Sequence, residues 1–207
     1  MLTQQEMNEL IKIARKHDIY ILNDEIYRGL EHGEGKKTDS IVEGYEKGIV
    51  ISSLSKIYGL VGVRIGWVAS KDRALIEQAK AFRRYTSSRN SELSELFAYM
   101  ALNCREQLLA RNRAIIQQNL KLLSDFFARN QDSLSWVPPE GGTLALPKLL
   151  LDRPIDQFVD ELYQKTQVVL VPDRVFDRDE NAFRIAFGKQ SMPEALLMLE
   201  DFLKQYA

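Results

Sequence analysis

The sequence predicts an α/β chain, and three observations predict it. Short β-prone apolar runs at 19–23, 48–52 and 63–69 are interleaved with stretches whose apolar residues recur at helical spacing. A single helical pattern then runs from Glu106 to Phe127, the length of helix that often bridges two domains. After Asn130 the chain changes to short strands, Pro- and Gly-containing turns and two amphipathic helices, the pattern of a small α+β domain. The expected segments are therefore 1–104, a connecting helix at 105–130, and a small domain at 131–207.

Each element has its own signal. Thr3 with Glu6 three residues later makes a capping box, and Leu10, Ile11 and Ala14 extend the helix over 4–17. The run at 19–23 reads as a buried strand that ends in Asp24-Glu25-Ile26-Tyr27. Residues 31–38, with Gly33, Gly35, Lys36 and Lys37, read as a solvated loop. Strand 48–52 leads into Ser53–Trp67, which reads as strand, Gly-containing turn and outgoing strand 63–69. Lys71-Asp72-Arg73 begins a helix to residue 84, 86–90 is a polar break, and Ser91 caps a helix to 103. Beyond the long helix, Trp136-Val137 and 143–146 read as strands on either side of the 138–142 turn. Pro154 starts a helix carrying Phe158, Leu162 and Tyr163, 168–171 and 182–187 are strands, and Pro193 opens a terminal helix.

Bulk properties exclude several classes. The 28 basic and 29 acidic residues of the 207 give a net charge of −1, so no basic excess points to nucleic acid. A single cysteine, Cys104, excludes an internal disulfide and sets the expectation of a reducing cytoplasm. No apolar run is long enough to span a membrane, and the polar N-terminus has no signal-peptide pattern. His17 and His32 are too few and too far apart to suggest a metal site. No Walker, dinucleotide or nucleophile-elbow motif is present, and Asp24-Glu25 point to opposite sides of an extended chain.

The residues that can carry chemistry lie at strand ends, where open α/β sheets bind ligands. Lys56 follows a strand and is flanked by Ser53 and Ser55, with Arg64 across a Gly-containing turn. By itself Lys56 reads as a solvated loop lysine or as an amine that becomes nucleophilic when desolvated or set near another cation. Asp24 is a strand-end acid, a helix cap or a ligand-facing carboxylate, and Tyr27 either packs or donates a hydrogen bond to a ligand. Arg184, inside Phe183–Phe187, is either on a solvated face or a guanidinium fork aimed at a carboxylate.

Taken together, Asp24-Glu25-Ile26-Tyr27, Ser53-Leu54-Ser55-Lys56, Gly59, Gly62, Arg64, Gly66-Trp67, the Gly141-Gly142 turn and the strand around Arg184 resemble the pyridoxal-phosphate-dependent aminotransferases of class I/II, which have the fold type I architecture. The resemblance implies a large-domain portion with a mixed, mostly parallel sheet and helices, followed by the small domain. It implies pyridoxal 5'-phosphate as cofactor, with Lys56 its Schiff-base residue, Asp24 on the pyridine nitrogen, Tyr27 on the ring oxygen, and Ser53, Ser55 and Arg64 on the phosphate. Arg184 would hold the substrate carboxylate. The implied partners are an amino acid, a 2-oxo acid and a second copy in a homodimer.

In the family a substantial portion precedes the helix with which this chain begins, supplying the first strands of the sheet, part of the phosphate cradle and an aromatic that stacks on the ring. The resemblance thus covers the C-terminal part of such an enzyme. The expectation is a truncated form that binds cofactor poorly and turns over little by itself, with an open sheet edge. Two alternatives follow from the same motifs: another fold type I enzyme, a lyase or synthase, or a non-catalytic remnant that folds or dimerises. Asp173 stands after Val171-Pro172 where the family commonly has glycine, and Arg83, Arg84 and Arg89 form a basic cluster.

Overall fold

The computed structural model describes residues 2–33 and 37–206, so Gly35 and Lys36 of the expected solvated loop lie outside the described residues. The chain divides into two compact units, one of residues 1–112 with 140–142, the other of 113–139 with 143–207.

The first unit opens with α1 (Gln4–Lys16), capped as expected: the Thr3 side chain accepts from Glu6 N–H while the Glu6 carboxylate accepts from Thr3 N–H. Then come β1 (Ile21–Asp24), a short α2 (Ile41–Gly44), β2 (Gly48–Ser53), a 3-10 turn (Val61–Val63) and β3 (Gly66–Ser70). Helices α3 (Arg73–Thr86) and α4 (Glu92–Asn103) complete it, and α5 (Arg105–Arg129) begins in it. The sheet order is β1-β2-β3. β1 and β2 pair in parallel, with Asp24 opposite Ile51, and β2 and β3 pair antiparallel, with Ser53 opposite Gly66. The sheet is therefore mixed, with one pairing of each kind.

One face of this sheet, through Ile21, Val50 and Ala69, packs on Met7, Ile11 and Ala14 of α1 and on Ile41 and Tyr45. The Tyr45 hydroxyl donates to the Ile19 carbonyl at 2.6 Å, tying the entry of β1 to α2. The opposite face is open, and Leu22 is 62 % exposed. The expected burial of 19–23 is thus corrected: Ile19 and Tyr20, ahead of β1, are exposed, and Leu22 is exposed because its face of the sheet is uncovered among the described residues, as it is at Ile51 and Val68.

The expected strand 63–69 is shorter than its apolar run. Val61–Val63 form the 3-10 turn, Arg64 adopts a left-handed φ of 57°, and β3 starts only at Gly66. Gly66 has a steric reason: a Cβ there would sit 2.9 Å from the Ser52 carbonyl oxygen.

The second unit takes the remainder of α5, then β4 (Leu134–Ser135), β5 (Leu144–Ala145), β6 (Lys148–Leu149), α6 (Ile155–Thr166), β7 (Val171–Pro172), β8 (Phe183–Ala186) and α7 (Met192–Leu203). β4 pairs with β6, and β5 and β7 flank β8, all antiparallel. The core is aromatic: Phe158 lies 6.4 Å from Phe183 and 5.4 Å from Phe202 between ring centroids. Trp136 does not form the expected strand. Its ring stacks on Phe127 at 4.5 Å, so its apolarity serves side-chain packing while the backbone pairing falls at 134–135. Among the described residues no helix is long and apolar enough to cross a membrane.

Candidate functional site

Parallel strands end with their carbonyl ends facing a common side, and here β1 ends at Asp24 and β2 at Ser53. The Asp24 carboxylate accepts from Ile26 N–H at 3.0 Å, which turns the chain immediately after the strand. The Ser53 hydroxyl accepts from Ser55 N–H at 3.1 Å and starts the turn that carries Lys56. Leu54, buried between these polar residues, anchors the turn: its N–H donates to Ile65 and its carbonyl accepts from Leu60 N–H, both at 3.1 Å.

Asp24, Ser53, Ser55, Lys56 and Arg64 line one cleft of about 920 Å³. Its floor and wall include Ile51 and Val68 of the sheet and Ile76, Ala79 and Arg83 of α3. Four cations, Lys56, Arg64, Lys80 and Arg83, share it with a single carboxylate, Asp24, so the cleft suits an anionic ligand. Among the described residues the Lys56 amine has no hydrogen-bond or ion-pair partner. Arg64 donates one bond to the Val61 carbonyl at 3.1 Å, leaving most of its donor fork available.

Tyr27 is not among the residues lining the cleft. Its ring lies against Gly142, whose backbone has φ +79° and whose Cβ, if present, would meet the ring at 3.4 Å. The 140–142 segment is stitched in place: His32 N–H donates to the Glu140 carbonyl at 2.8 Å and Gly142 N–H to that of Leu30 at 2.9 Å, while His32 Nε2 bonds the Gly142 carbonyl at 3.0 Å. Arg184 belongs to the second unit. It is half-buried in β8 between buried Phe183 and Ile185, with its guanidinium 5.4 Å from the Phe176 ring centroid.

Sequence reasoning missed two supports of the site, one under the Lys56 loop and one at the Asp24 turn. Asn112, on α5, donates to the Ile57 carbonyl at 3.0 Å and lies against Gly59, which has φ +68°. Glu25 is buried at 8 % exposure and gathers several donors around the Asp24 turn. Asn112 carries no sequence signal, being one polar position among many on a long helix. Glu25 lies next to a singled-out residue, and its burial is the part that sequence does not show.

A family model described as aminotransferase class I and II matches residues 1–198. The aspartate aminotransferase of Bacillus subtilis is 26 % identical over 220 residues, which cover 100 % of this chain and 55 % of that protein. The HTH-type transcriptional regulator NorG of Staphylococcus aureus is 24 % identical over 213 residues, covering 99 % of this chain and 47 % of that protein. A solved structure of a PLP-dependent aminotransferase from Streptococcus suis superposes with a TM-score of 0.90 at 32 % identity, covering 100 % of this chain and 54 % of that one. The chain thus spans about half the length of the relatives it matches, and over that half its fold is that of the fold type I aminotransferases. Since the family match runs through both units, from the Asp24 and Lys56 turns past the strand of Arg184, the chain belongs to the class I and II aminotransferase family.

Proposed function

We propose that the chain takes part in transfer of an amino group between an amino acid and a 2-oxo acid, with pyridoxal 5'-phosphate held in the cleft at the ends of β1 and β2. The observation that supports this reading is that Asp24, Ser53, Ser55, Lys56 and Arg64 all line one cation-rich cleft. The donor set fits the group: an unpartnered amine for its aldehyde, a carboxylate for its ring nitrogen, and two hydroxyls with a guanidinium for its phosphate.

When bound, the cofactor supplies an electron sink for the carbanion formed at the substrate Cα. The protein residues do the rest. Lys56 would hold the cofactor through its amine, and the same amine, freed when substrate binds, would take the proton from the substrate Cα as general base and deliver it to the cofactor carbon as general acid. Asp24 keeps the ring nitrogen protonated by pairing with it. Tyr27 orients the ring oxygen, Ser53, Ser55 and Arg64 fix the phosphate, and Arg184 takes the substrate carboxylate as a bidentate fork. The segments we assign are a cofactor-binding portion (1–104), a connecting helix (105–130) and a small domain (131–207). We also propose a homodimer acting on small molecules in the cytoplasm.

Similarity to NorG, a transcriptional regulator, favours a second reading, in which this chain is non-catalytic. Titrating the full chain with pyridoxal phosphate, with amino acid and 2-oxo acid then added, separates the two. Transamination predicts a visible absorption band that amino acid converts and 2-oxo acid restores, and that is lost in Lys56→Ala. A band that forms but is never converted favours the second reading, and no band in the wild-type chain counts against the first.

A further inference from the structure

We infer that Glu25 is a positioning residue, which fixes Asp24 and the Tyr27 turn against the strand that carries Lys56. This inference rests on the proposed cofactor site and adds a residue that the site itself does not use.

Glu25 is a buried carboxylate directly between two site residues. Burial of a charged group is tolerated only where donors surround it. Here its Oε1 accepts from Asn23 Nδ2 at 3.1 Å, from the Ser40 hydroxyl at 2.9 Å and from Ile41 N–H at 3.0 Å. Its Oε2 lies 3.6 Å from Arg28 Nε, a buried nitrogen. The side chain therefore ties the end of β1 to the start of α2, fifteen residues on in sequence. The backbone of the same residue is tied the other way. Glu25 N–H donates to the Ile51 carbonyl at 2.8 Å, and its own carbonyl accepts from the Ser52 hydroxyl at 3.2 Å and from Arg28 N–H at 3.0 Å.

Glu25 is thus the joint between α2, β1 and the last residues of β2, one residue after Asp24 and two before Tyr27. Its Oε1 is engaged by three protein donors and its Oε2 faces Arg28, so the carboxylate is committed to protein groups rather than to a ligand. Its effect on chemistry runs through the place where it holds Asp24. A carboxylate that moves by a fraction of its hydrogen-bond length from the ring nitrogen changes how strongly that nitrogen stays protonated, which a loss of general stability does not do.

The test uses the full chain in three variants, E25A, E25Q and S40A, with two readouts. One is amide hydrogen exchange over 24–28 without cofactor. The other is retention of added pyridoxal phosphate, together with the pH midpoint of its visible band. E25A is expected to speed exchange and weaken retention by about tenfold or more, and to move the midpoint. E25Q keeps an acceptor oxygen for all three donors and is expected to stay within about twofold of wild type, with S40A between the two. Unchanged exchange in E25A overturns the inference, as does faster exchange with retention and midpoint at wild-type values, which is the outcome for a purely structural residue. If E25A does not fold, the same comparison is made between S40A and wild type. Retention of the band in K56A sinks the assignment of Lys56, while exchange, retention and midpoint compared between E25A and wild type still decide the claim for Glu25.

Discussion

At Gly142 the backbone holds φ +79° with the Tyr27 ring 3.4 Å from where a Cβ would project. A left-handed backbone is costly for any residue with a Cβ, so Gly142→Ala is expected to lower stability by about 1–2 kcal/mol, read as a shift of the urea midpoint. Asp72 offers a test of a different kind. The Tyr20 hydroxyl and Leu75 N–H both donate to its carboxylate, and they hold its pKa below the usual aspartate value. A carboxyl whose folded pKa is depressed contributes stability that is fully present above its unfolded pKa and is lost as pH falls through the folded one. The difference in urea midpoint between wild type and Asp72→Asn should therefore be largest near neutral pH and shrink in acid. A difference that is constant with pH would show that the hydrogen bonds at Asp72 do not depend on its charge.

Among the elements, α5 shows most clearly what sequence does and does not reveal. Its helical pattern is plain from Leu108, Ile115, Ile116, Leu120 and Leu123, because burial on one face leaves a 3.6-residue period. The polar residues that matter on it leave no such period. Asn119 is 2 % exposed and donates to the carbonyls of Phe187 at 2.9 Å and Lys189 at 2.8 Å, some seventy residues away. Asn119→Ala leaves both carbonyls without that donor and is expected to cost about 1–3 kcal/mol by chemical denaturation. Phe126, fully buried on the same helix, should cost about 3–5 kcal/mol when replaced by alanine. The site follows the same division. Asp24, Ser53 and Lys56 stand out as polar residues at the ends of apolar runs, so their meeting at the ends of parallel strands can be read from the pattern. The supports, Asn112 under the Lys56 loop and His32 under Gly142, are contacts across 55 and 110 residues, and no local pattern records them. Apolarity is also ambiguous between pairing and packing: Val63, Arg64 and Ile65 turn a corner, with Arg64 and Ile65 lining the cleft, rather than extend β3, and Trp136 stacks on Phe127 rather than joining a strand.

For the molecule as a whole, the exposed apolar residues are concentrated in the first unit. Leu22, Ile51 and Val68 share the open face of the sheet, and Leu93, Leu96, Phe97, Tyr99 and Met100 are exposed on α4. Apolar surface of this extent is a place for association. Under the proposed homodimer, light scattering coupled to size exclusion gives twice the chain mass of 23.8 kDa, and Leu93→Lys with Phe97→Lys shifts the population to monomer. A wild-type monomer would count against the dimer. The central claim, that the cleft at the ends of β1 and β2 holds pyridoxal phosphate through Lys56, is tested most directly by incubating the full chain with the cofactor, reducing with borohydride and mapping the modified peptide by mass spectrometry. The account predicts that the added mass falls on the peptide containing Lys56 and is lost in Lys56→Ala. Label spread over exposed lysines such as Lys12, Lys16 and Lys71, with Lys56 unmodified, would contradict it.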